Sequence, residues 1–133
     1  MNYLLDVNVL VAWGWEDHEE HEPVVRWIAA ESKNKKNIFL TSAIPELGFV
    51  RVSVQRSQGE LAPSQVSEVL QGMLHALAPQ HRFLPDDLSA YNWPSWCQSA
   101  SHTTDAHLYS LAKKHEAILV TLDRGIPDAF LIN

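Results

Sequence analysis

Residues 117–123 read Ala-Ile-Leu-Val-Thr-Leu-Asp, and this segment is the clearest indication of the fold class. It is a short run of almost only apolar residues that stops at an acidic side chain. Such a run, without alternation between polar and apolar positions, is typical of a strand buried on both faces of a parallel sheet. We therefore predict a buried β-strand here, with Asp123 at its carboxyl end.

The rest of the chain alternates between similar short strands and longer segments with helical spacing of apolar residues. Predicted strands lie at Tyr3–Leu5, Ile38–Leu40, Arg82–Leu84 and, as an edge strand, Phe130–Ile132. Predicted helices follow Asp6, open in the acidic stretch Glu16–Glu22, and span about residues 42–55, 63–78 and 104–115. This alternation predicts an α/β fold of three layers: a central parallel sheet of four to five short strands with helices on both faces.

Length and composition predict one folded unit. With 133 residues, 46% of them hydrophobic, the chain fits a single domain, 1–133. No apolar run approaches the roughly 18 residues that cross a bilayer, and the first residues lack the pattern of a signal peptide. The single cysteine, Cys97, excludes an internal disulfide. We expect a cytoplasmic protein without membrane association.

The charge balance bears on possible partners. The chain has 10 Lys and Arg residues against 16 Asp and Glu residues, a net charge of −6. This argues against a broad basic face for nucleic acid, because such faces work by neutralising phosphates. The objection weakens if several of the acids hold divalent cations, since each bound cation reverses the local field.

Four acidic residues occupy equivalent places in the predicted architecture. Asp6 and Asp123 directly follow strands, and two more acids, Glu46 and Asp105, lie in the first turns of helices. In such a sheet the strand carboxyl ends and the helix N-termini meet at one edge, where ligands bind. Four carboxylates at one edge call for positive charge, and oxygen-ligated Mg²⁺ or Mn²⁺ is the natural candidate. Ions of this kind support the chemistry of hydrolytic nucleases.

Each acid taken alone also has a structural explanation. Asp6 can cap the helix that follows it, and Asp123 can close its strand with an Asx turn. Glu46 and Asp105 can simply complement the dipoles of their helices. These explanations do not account for the position of all four acids at the same edge, so the set favours a functional site.

The sequence around these acids resembles the PIN-domain family, and more narrowly the VapC toxins of bacterial toxin–antitoxin pairs. The matching segments are Leu4–Leu10, Pro45–Val52, Thr104–Leu108 and Leu119–Gly125. Each motif alone is weak, but the ordered set covers nearly the whole chain and is specific. The resemblance implies a PIN-like fold, an Mg²⁺- or Mn²⁺-dependent endoribonuclease, a homodimer, and a cognate antitoxin whose tail covers the site.

The resemblance also implies roles for the four acids. Asp6, Glu46, Asp105 and Asp123 would be the catalytic set. Three of them, Asp6, Asp105 and Asp123, would be the metal ligands.

Further residues carried over from the family would assist the acids. Asn8, Thr104 and Thr121 would support them by hydrogen bonding, although Thr121 is equally well explained as a β-branched strand residue. Independently of the resemblance, Arg51, Arg56 and Arg124 are the cations closest to the predicted site, and Arg51 and Arg124 are expected to contact the RNA backbone or the antitoxin.

Two alternatives stay open at this point. The first is a housekeeping RNA-processing nuclease of the same family without an antitoxin. A short upstream reading frame for a DNA-binding antitoxin would favour the toxin instead. The second is a non-catalytic acidic binding module, which should show no Mn²⁺ site that disappears when Asp6 is replaced.

Other polar and aromatic residues are weaker candidates. His18 and His21 have a spacing that can bind zinc, but the chain offers no second matching pair, so we interpret them as a solvated helix start. For Arg56 a solvated helix face is slightly preferred. The tryptophans are interpreted as core or dimer-interface anchors.

Overall fold

The computed structural model describes residues 1–133 as five strands and five α-helices. The strands are β1 (Asn2–Leu5), β2 (Ile38–Thr41), β3 (His81–Phe83), β4 (Ile118–Thr121) and β5 (Phe130–Leu131). The helices are α1 (Val7–Gly14), α2 (His21–Ser32), α3 (Ala43–Arg56), α4 (Pro63–Ala76) and α5 (Thr103–Lys114). A short 3₁₀ turn, Ala100–His102, leads into α5. No helix combines the length and the apolar character that a membrane span requires.

The five strands form one parallel sheet in the order β3-β2-β1-β4-β5. The predicted parallel sheet is therefore confirmed, with five strands. The chain runs outward from β1 through β2 to β3 and then crosses to β4 on the other side of β1. The carboxyl ends of β1 and β4 thus flank a topological switch point, the place where open α/β sheets bind ligands.

The two faces of the sheet carry separate apolar clusters. Alternate residues of β1 point to opposite faces, as strand geometry requires. Tyr3 and Leu5 join the larger cluster, which is covered by α1 to α4, and Leu4 joins the smaller cluster under α5. The buried side chains of Leu108 and Leu111 hold α5 on this second face. The helices that carry the site therefore approach it from both sides of the sheet.

Helix α3 packs against the start of α1 at a glycine. A methyl group on Gly48 would lie 2.6 Å from Cγ2 and 2.8 Å from Cγ1 of Val7. Real side chains do not approach so closely, so any larger residue must displace Val7, which directly follows Asp6. The close approach at Gly48 therefore helps to fix the start of α1.

Two local details differ from the sequence-based expectations. The sequence predicts that Thr41 or Ser42 caps α3. Ser42 is the N-cap residue, but its hydroxyl donates to the carbonyl oxygen of Leu84 and caps no helix N–H. The segment 84–99 has no regular structure, and only Trp96 of its aromatic residues packs against the smaller cluster. The cluster of Tyr91, Trp93 and Trp96 around Pro94 predicts an irregular packed loop, but Tyr91 is 81% exposed, so this prediction is wrong for Tyr91.

Candidate active site

Asp6 is the most buried of the four acids, at 4% exposure. It ends β1 and caps α1, because its Oδ1 accepts a hydrogen bond from the backbone N–H of Val7 at 2.7 Å. Its Oδ2 accepts a hydrogen bond from Thr121 Oγ1, also at 2.7 Å. Burial raises the pKa of Asp6, and these two hydrogen bonds oppose the rise. Asp6 therefore caps α1 and also belongs to the candidate site, and the two hydrogen bonds fix the orientation of its carboxylate.

Thr121, the last residue of β4, links Asp6 to its neighbours. Its buried hydroxyl donates to Asp6 and accepts the backbone N–H of Asp123 at 3.0 Å. The amide Nδ2 of Asn8 donates to the same oxygen at 3.4 Å, and its Oδ1 accepts the backbone N–H of Leu122 at 3.1 Å. The support expected from Asn8 therefore reaches Asp6 through Thr121.

Thr121→Val is expected to lower the free energy of unfolding by about 2 kcal/mol. Valine has nearly the same shape, so the loss comes from a buried Asp6 oxygen and the Asp123 N–H that are left without their partner. Thr121→Ser keeps the hydroxyl and should lose less than about 1 kcal/mol. Urea unfolding of the three proteins measures the difference. Equal stability of the valine variant and the wild type would contradict the role of the hydroxyl.

Asp105, in the first turn of α5, lies close to both strand-end aspartates. Its pKa is raised to about 7, by burial first, then by the charge of Asp6 and by the contact with Asp123. Asp123 itself closes an Asx turn, since its Oδ1 accepts the backbone N–H of Gly125 at 2.8 Å. The structure thus brings three carboxyl groups together and leaves their mutual repulsion without a basic side chain to offset it.

Glu46 lies one strand further along the same edge. Its Oε2 accepts a hydrogen bond from Thr41 Oγ1 at 2.7 Å, and Thr41 Oγ1 is 2.8 Å from Nε2 of His81. Burial lowers the pKa of His81, and the charge of Glu46 opposes this. Glu46 is not among the groups that shift the pKa of Asp6 or Asp105. In this structure Glu46 therefore interacts with Thr41, the last residue of β2, which in turn contacts His81, the first residue of β3.

A groove of about 430 Å³ opens next to the aspartates. Its polar lining consists of Asp6, Asn8, Thr104 and Asp105 together with His18, Arg51 and Arg56. Thr104 is exposed, and its hydroxyl makes no hydrogen bond to the carboxylates. Arg124 lies exposed in the turn after Asp123 and does not line the groove.

The histidines and Arg56 are placed differently from one another. His21 Nδ1 is 2.7 Å from the carbonyl oxygen of Ala12, so this histidine contacts the backbone of α1, whereas the sequence indicates a solvated helix start. His18 and Arg56 line the groove, although sequence reasoning favoured a solvated surface for both. No group of three His, Cys, Asp or Glu side chains is already arranged to hold a metal ion.

The fold and the site together define a class of protein: a parallel α/β domain with a carboxylate cluster at its topological switch point. The chain belongs to the PIN-domain family, because the family model described as PIN domain matches residues 3–130. The family expected from the four acidic motifs is therefore confirmed.

Two similar proteins are ribonucleases of Mycobacterium tuberculosis. Ribonuclease VapC39 is 33% identical over 133 aligned residues, which cover 97% of this chain and 94% of the relative. Ribonuclease VapC38 is 36% identical over 127 residues, which cover 92% and 86% respectively.

A solved structure supports the fold. The crystal structure of VapBC2 from Rickettsia felis, bound to a DNA fragment from their promoter, matches with a TM-score of 0.57. The match covers 98% of this chain and 97% of that chain at 19% sequence identity, so it shows likeness of fold alone.

Proposed function

We propose that residues 1–133 act as one metal-dependent endoribonuclease domain and that the protein is the toxin of a toxin–antitoxin pair. The observation that carries the proposal is the meeting of Asp6, Asp105 and Asp123 beside the carboxyl ends of β1 and β4. Similarity to VapC ribonucleases over more than nine tenths of the chain supports RNA as the substrate.

The donor set fits a hard divalent cation. Asp6, Asp105 and Asp123 offer only carboxylate oxygens, the ligands that Mg²⁺ and Mn²⁺ prefer. Burial and the charges of neighbouring aspartates raise the pKa of Asp6 and of Asp105, which is the environment that a cation stabilises. These three residues would hold the ion, and Glu46, whose Oε2 accepts the hydrogen bond from Thr41, would lie beside them. When bound, the ion supplies an activated water and neutralises charge on the phosphoryl group.

The protein's own residues keep the carboxylates in place for this chemistry. Thr121 and the N–H of Val7 fix the two oxygens of Asp6, and the Asx turn fixes Asp123. The proposed reaction is hydrolysis: a water oxygen bonds to phosphorus and the bond from phosphorus to O3′ breaks. The products are a 5′ phosphate and a 3′ hydroxyl. Because the 2′ hydroxyl takes no part, 2′-deoxy substitution at the cleaved nucleotide should not prevent cleavage.

Partners and location complete the proposal. We propose a homodimer that acts on RNA in the cytoplasm and is held inactive by a cognate antitoxin. The fold likeness to a chain of VapBC2, a complex solved with promoter DNA, is consistent with such a partner.

The proposal is tested by regulated expression of the wild type and of Asp105→Asn in a bacterial host, followed by mapping of RNA 5′ ends. Asp105 is half-buried and caps no helix, so the amide variant is the mildest change at the site. We expect growth arrest and discrete new 5′-phosphate ends from the wild type alone. Co-expression of the protein encoded by a neighbouring short reading frame should relieve the arrest.

Other outcomes point to other functions. New RNA ends without relief by any neighbouring gene product would indicate an RNA-processing nuclease that has no antitoxin. Absence of new ends from the wild type would refute the nuclease, and 2′,3′-cyclic phosphate ends would refute the hydrolytic mechanism.

A further inference from the structure

Arg56 is held beside the acidic site much more firmly than a solvated arginine. Its guanidinium carbon lies 4.9 Å from the centroid of the Trp15 ring, and its Nη2 donates to Oδ1 of Asp17 at 3.1 Å. Its side chain is 33% exposed, against 69% for Arg26, which approaches Glu22 only to 4.0 Å. A guanidinium stacked on an indole ring loses little further freedom when it binds a ligand.

The ring under Arg56 is itself fixed by α3. Trp15 Nε1 donates to Ser53 Oγ at 3.0 Å, and Ser53 is buried. Ser53 and Arg56 lie on the same helix, so α3 sets the position of both the ring and the guanidinium. The fold therefore preorganises Arg56 before any ligand arrives.

The ion pair that Arg56 makes with Asp17 is weak. The carboxylate side chain is 76% exposed, and exposed pairs contribute only about 0–1 kcal/mol. The pair uses one guanidinium nitrogen and leaves further N–H donors of the fork without a protein acceptor. An anion with several acceptor oxygens can therefore bind beside Asp17 or replace it.

The groove needs a basic side chain such as Arg56 if it is to hold RNA. The protein has a net charge of −6, and Asp6 and Asp105 line the same groove. These acids repel the phosphates on either side of the one that reacts, which no single metal site neutralises. Arg51 and Arg56 are the only Lys or Arg residues that line the groove, and His18 lies with them.

We propose that Arg56, assisted by Arg51, forms a phosphate-binding subsite for a phosphate of the RNA strand next to the one that is cleaved. Asp17 holds the guanidinium until RNA replaces it. The inference rests on the proposed nuclease function and adds to it a source of substrate affinity away from the metal site. Contacts of this kind recognise the backbone, so the subsite strengthens binding of all RNA sequences alike.

The test measures binding separately from cleavage. Anisotropy of a short fluorescein-labelled single-stranded RNA is recorded with Mg²⁺ in the Asp105→Asn background at several salt concentrations. Adding Arg56→Ala should weaken binding about tenfold and reduce the slope of log affinity against log salt by about 0.7, the value for one lost phosphate contact on a single strand. Arg26→Ala removes an equal charge from a solvated helix face and should change neither quantity.

Asp17→Asn separates a binding role from a merely structural one. It breaks the same ion pair as Arg56→Ala, so a structural role predicts the same effect for both substitutions. The subsite predicts the opposite sign: release of the guanidinium should tighten RNA binding about threefold. In the cleaving protein, Arg56→Ala should raise KM about tenfold and leave kcat within about twofold, because it removes uniform binding.

Several results would overturn the subsite. One is an RNA affinity and salt slope of Arg56→Ala equal to those of Arg26→Ala, and another is weaker RNA binding by Asp17→Asn. Unchanged RNA binding together with weaker capture of the antitoxin would assign Arg56 to a protein interface instead. Failure of the proposed function looks different, because the wild type would then cleave no RNA in Mg²⁺ or Mn²⁺ whatever residue stands at position 56.

Discussion

Asp105→Asn is expected to reduce RNA cleavage by about 10²–10³-fold and at the same time to stabilise the metal-free protein. Cleavage falls because an amide lacks the negative charge that would hold the proposed cation, and the cation is what would neutralise charge on the phosphoryl group. Stability rises because burial and the charges of Asp6 and Asp123 raise the pKa of Asp105 to about 7, so its ionised form is unfavourable in the folded protein. We expect a gain of about 1 kcal/mol, since a half-buried group is partly screened by solvent.

The stability that Asp105→Asn gains over the wild type should increase as pH rises. The pKa of Asp105 is higher in the folded protein than in the unfolded chain, where it is about 4. The wild type therefore loses stability relative to the variant as pH rises from about 4 to about 7, and the difference then stays constant. Thermal unfolding of both proteins in EDTA across this range measures it.

Asp128→Asn is the matched control for Asp105→Asn. Asp128 is an exposed aspartate after β4 with φ of 63°, a conformation that asparagine also tolerates. This variant should cleave RNA and unfold like the wild type. Wild-type cleavage by Asp105→Asn would refute the role of Asp105 in the site. Equal stability of Asp105→Asn and the wild type at every pH would refute the proposed repulsion between Asp105 and the other two aspartates.

Gly48→Val is expected to destabilise the protein by about 3 kcal/mol and to impair cleavage as well. Even a methyl group at this position would lie 2.6 Å from Cγ2 of Val7, so α1 and α3 must move apart. Val7 is the first residue of α1, and its N–H binds Asp6 Oδ1. A shift at this contact therefore reaches a proposed metal ligand. Urea unfolding and cleavage assays measure the two losses.

Two companions test the cause of the Gly48→Val effect. Gly72→Val places the same side chain in α4, where a methyl group meets nothing within 4 Å, and should change stability by less than about 0.5 kcal/mol. The double variant with Val7→Ala should regain part of the loss, because it removes the atoms that collide. Equal losses at positions 48 and 72 would show that the collision with Val7 is not responsible, since helix propensity alone favours valine over glycine.

The architecture was predictable because its signals are local. The apolar run before Asp123 and the shorter one before Asp6 predicted two strands of one parallel sheet, and the structure adds that β4 and β1 are neighbours in it. The edge geometry of such a sheet then predicted where Asp105 would lie relative to both. Each step needed only hydrophobic spacing and the rule that strand ends and helix starts meet at one edge.

The finer contacts were not predictable because they join distant parts of the chain. Nothing in the sequence indicates that Glu46 accepts a hydrogen bond from Thr41 while His81, 40 residues after Thr41, contacts the same hydroxyl. Likewise, the pairing of Arg56 with Asp17 spans 39 residues and depends on how α1 meets α3. Such contacts follow from tertiary packing, which short-range patterns do not encode.

The central position of β1 also determines when the proposed site can be completed during synthesis on the ribosome. Asp6 is made early, but the hydroxyl that orients it belongs to Thr121, 115 residues later. At synthesis rates of roughly 5–20 residues per second, Thr121 is made about 6–23 seconds after Asp6. During that time β1 lacks the neighbour that carries Asp123. The strand order therefore places completion of the proposed site near the end of translation, because β4 and Thr121 must be made first.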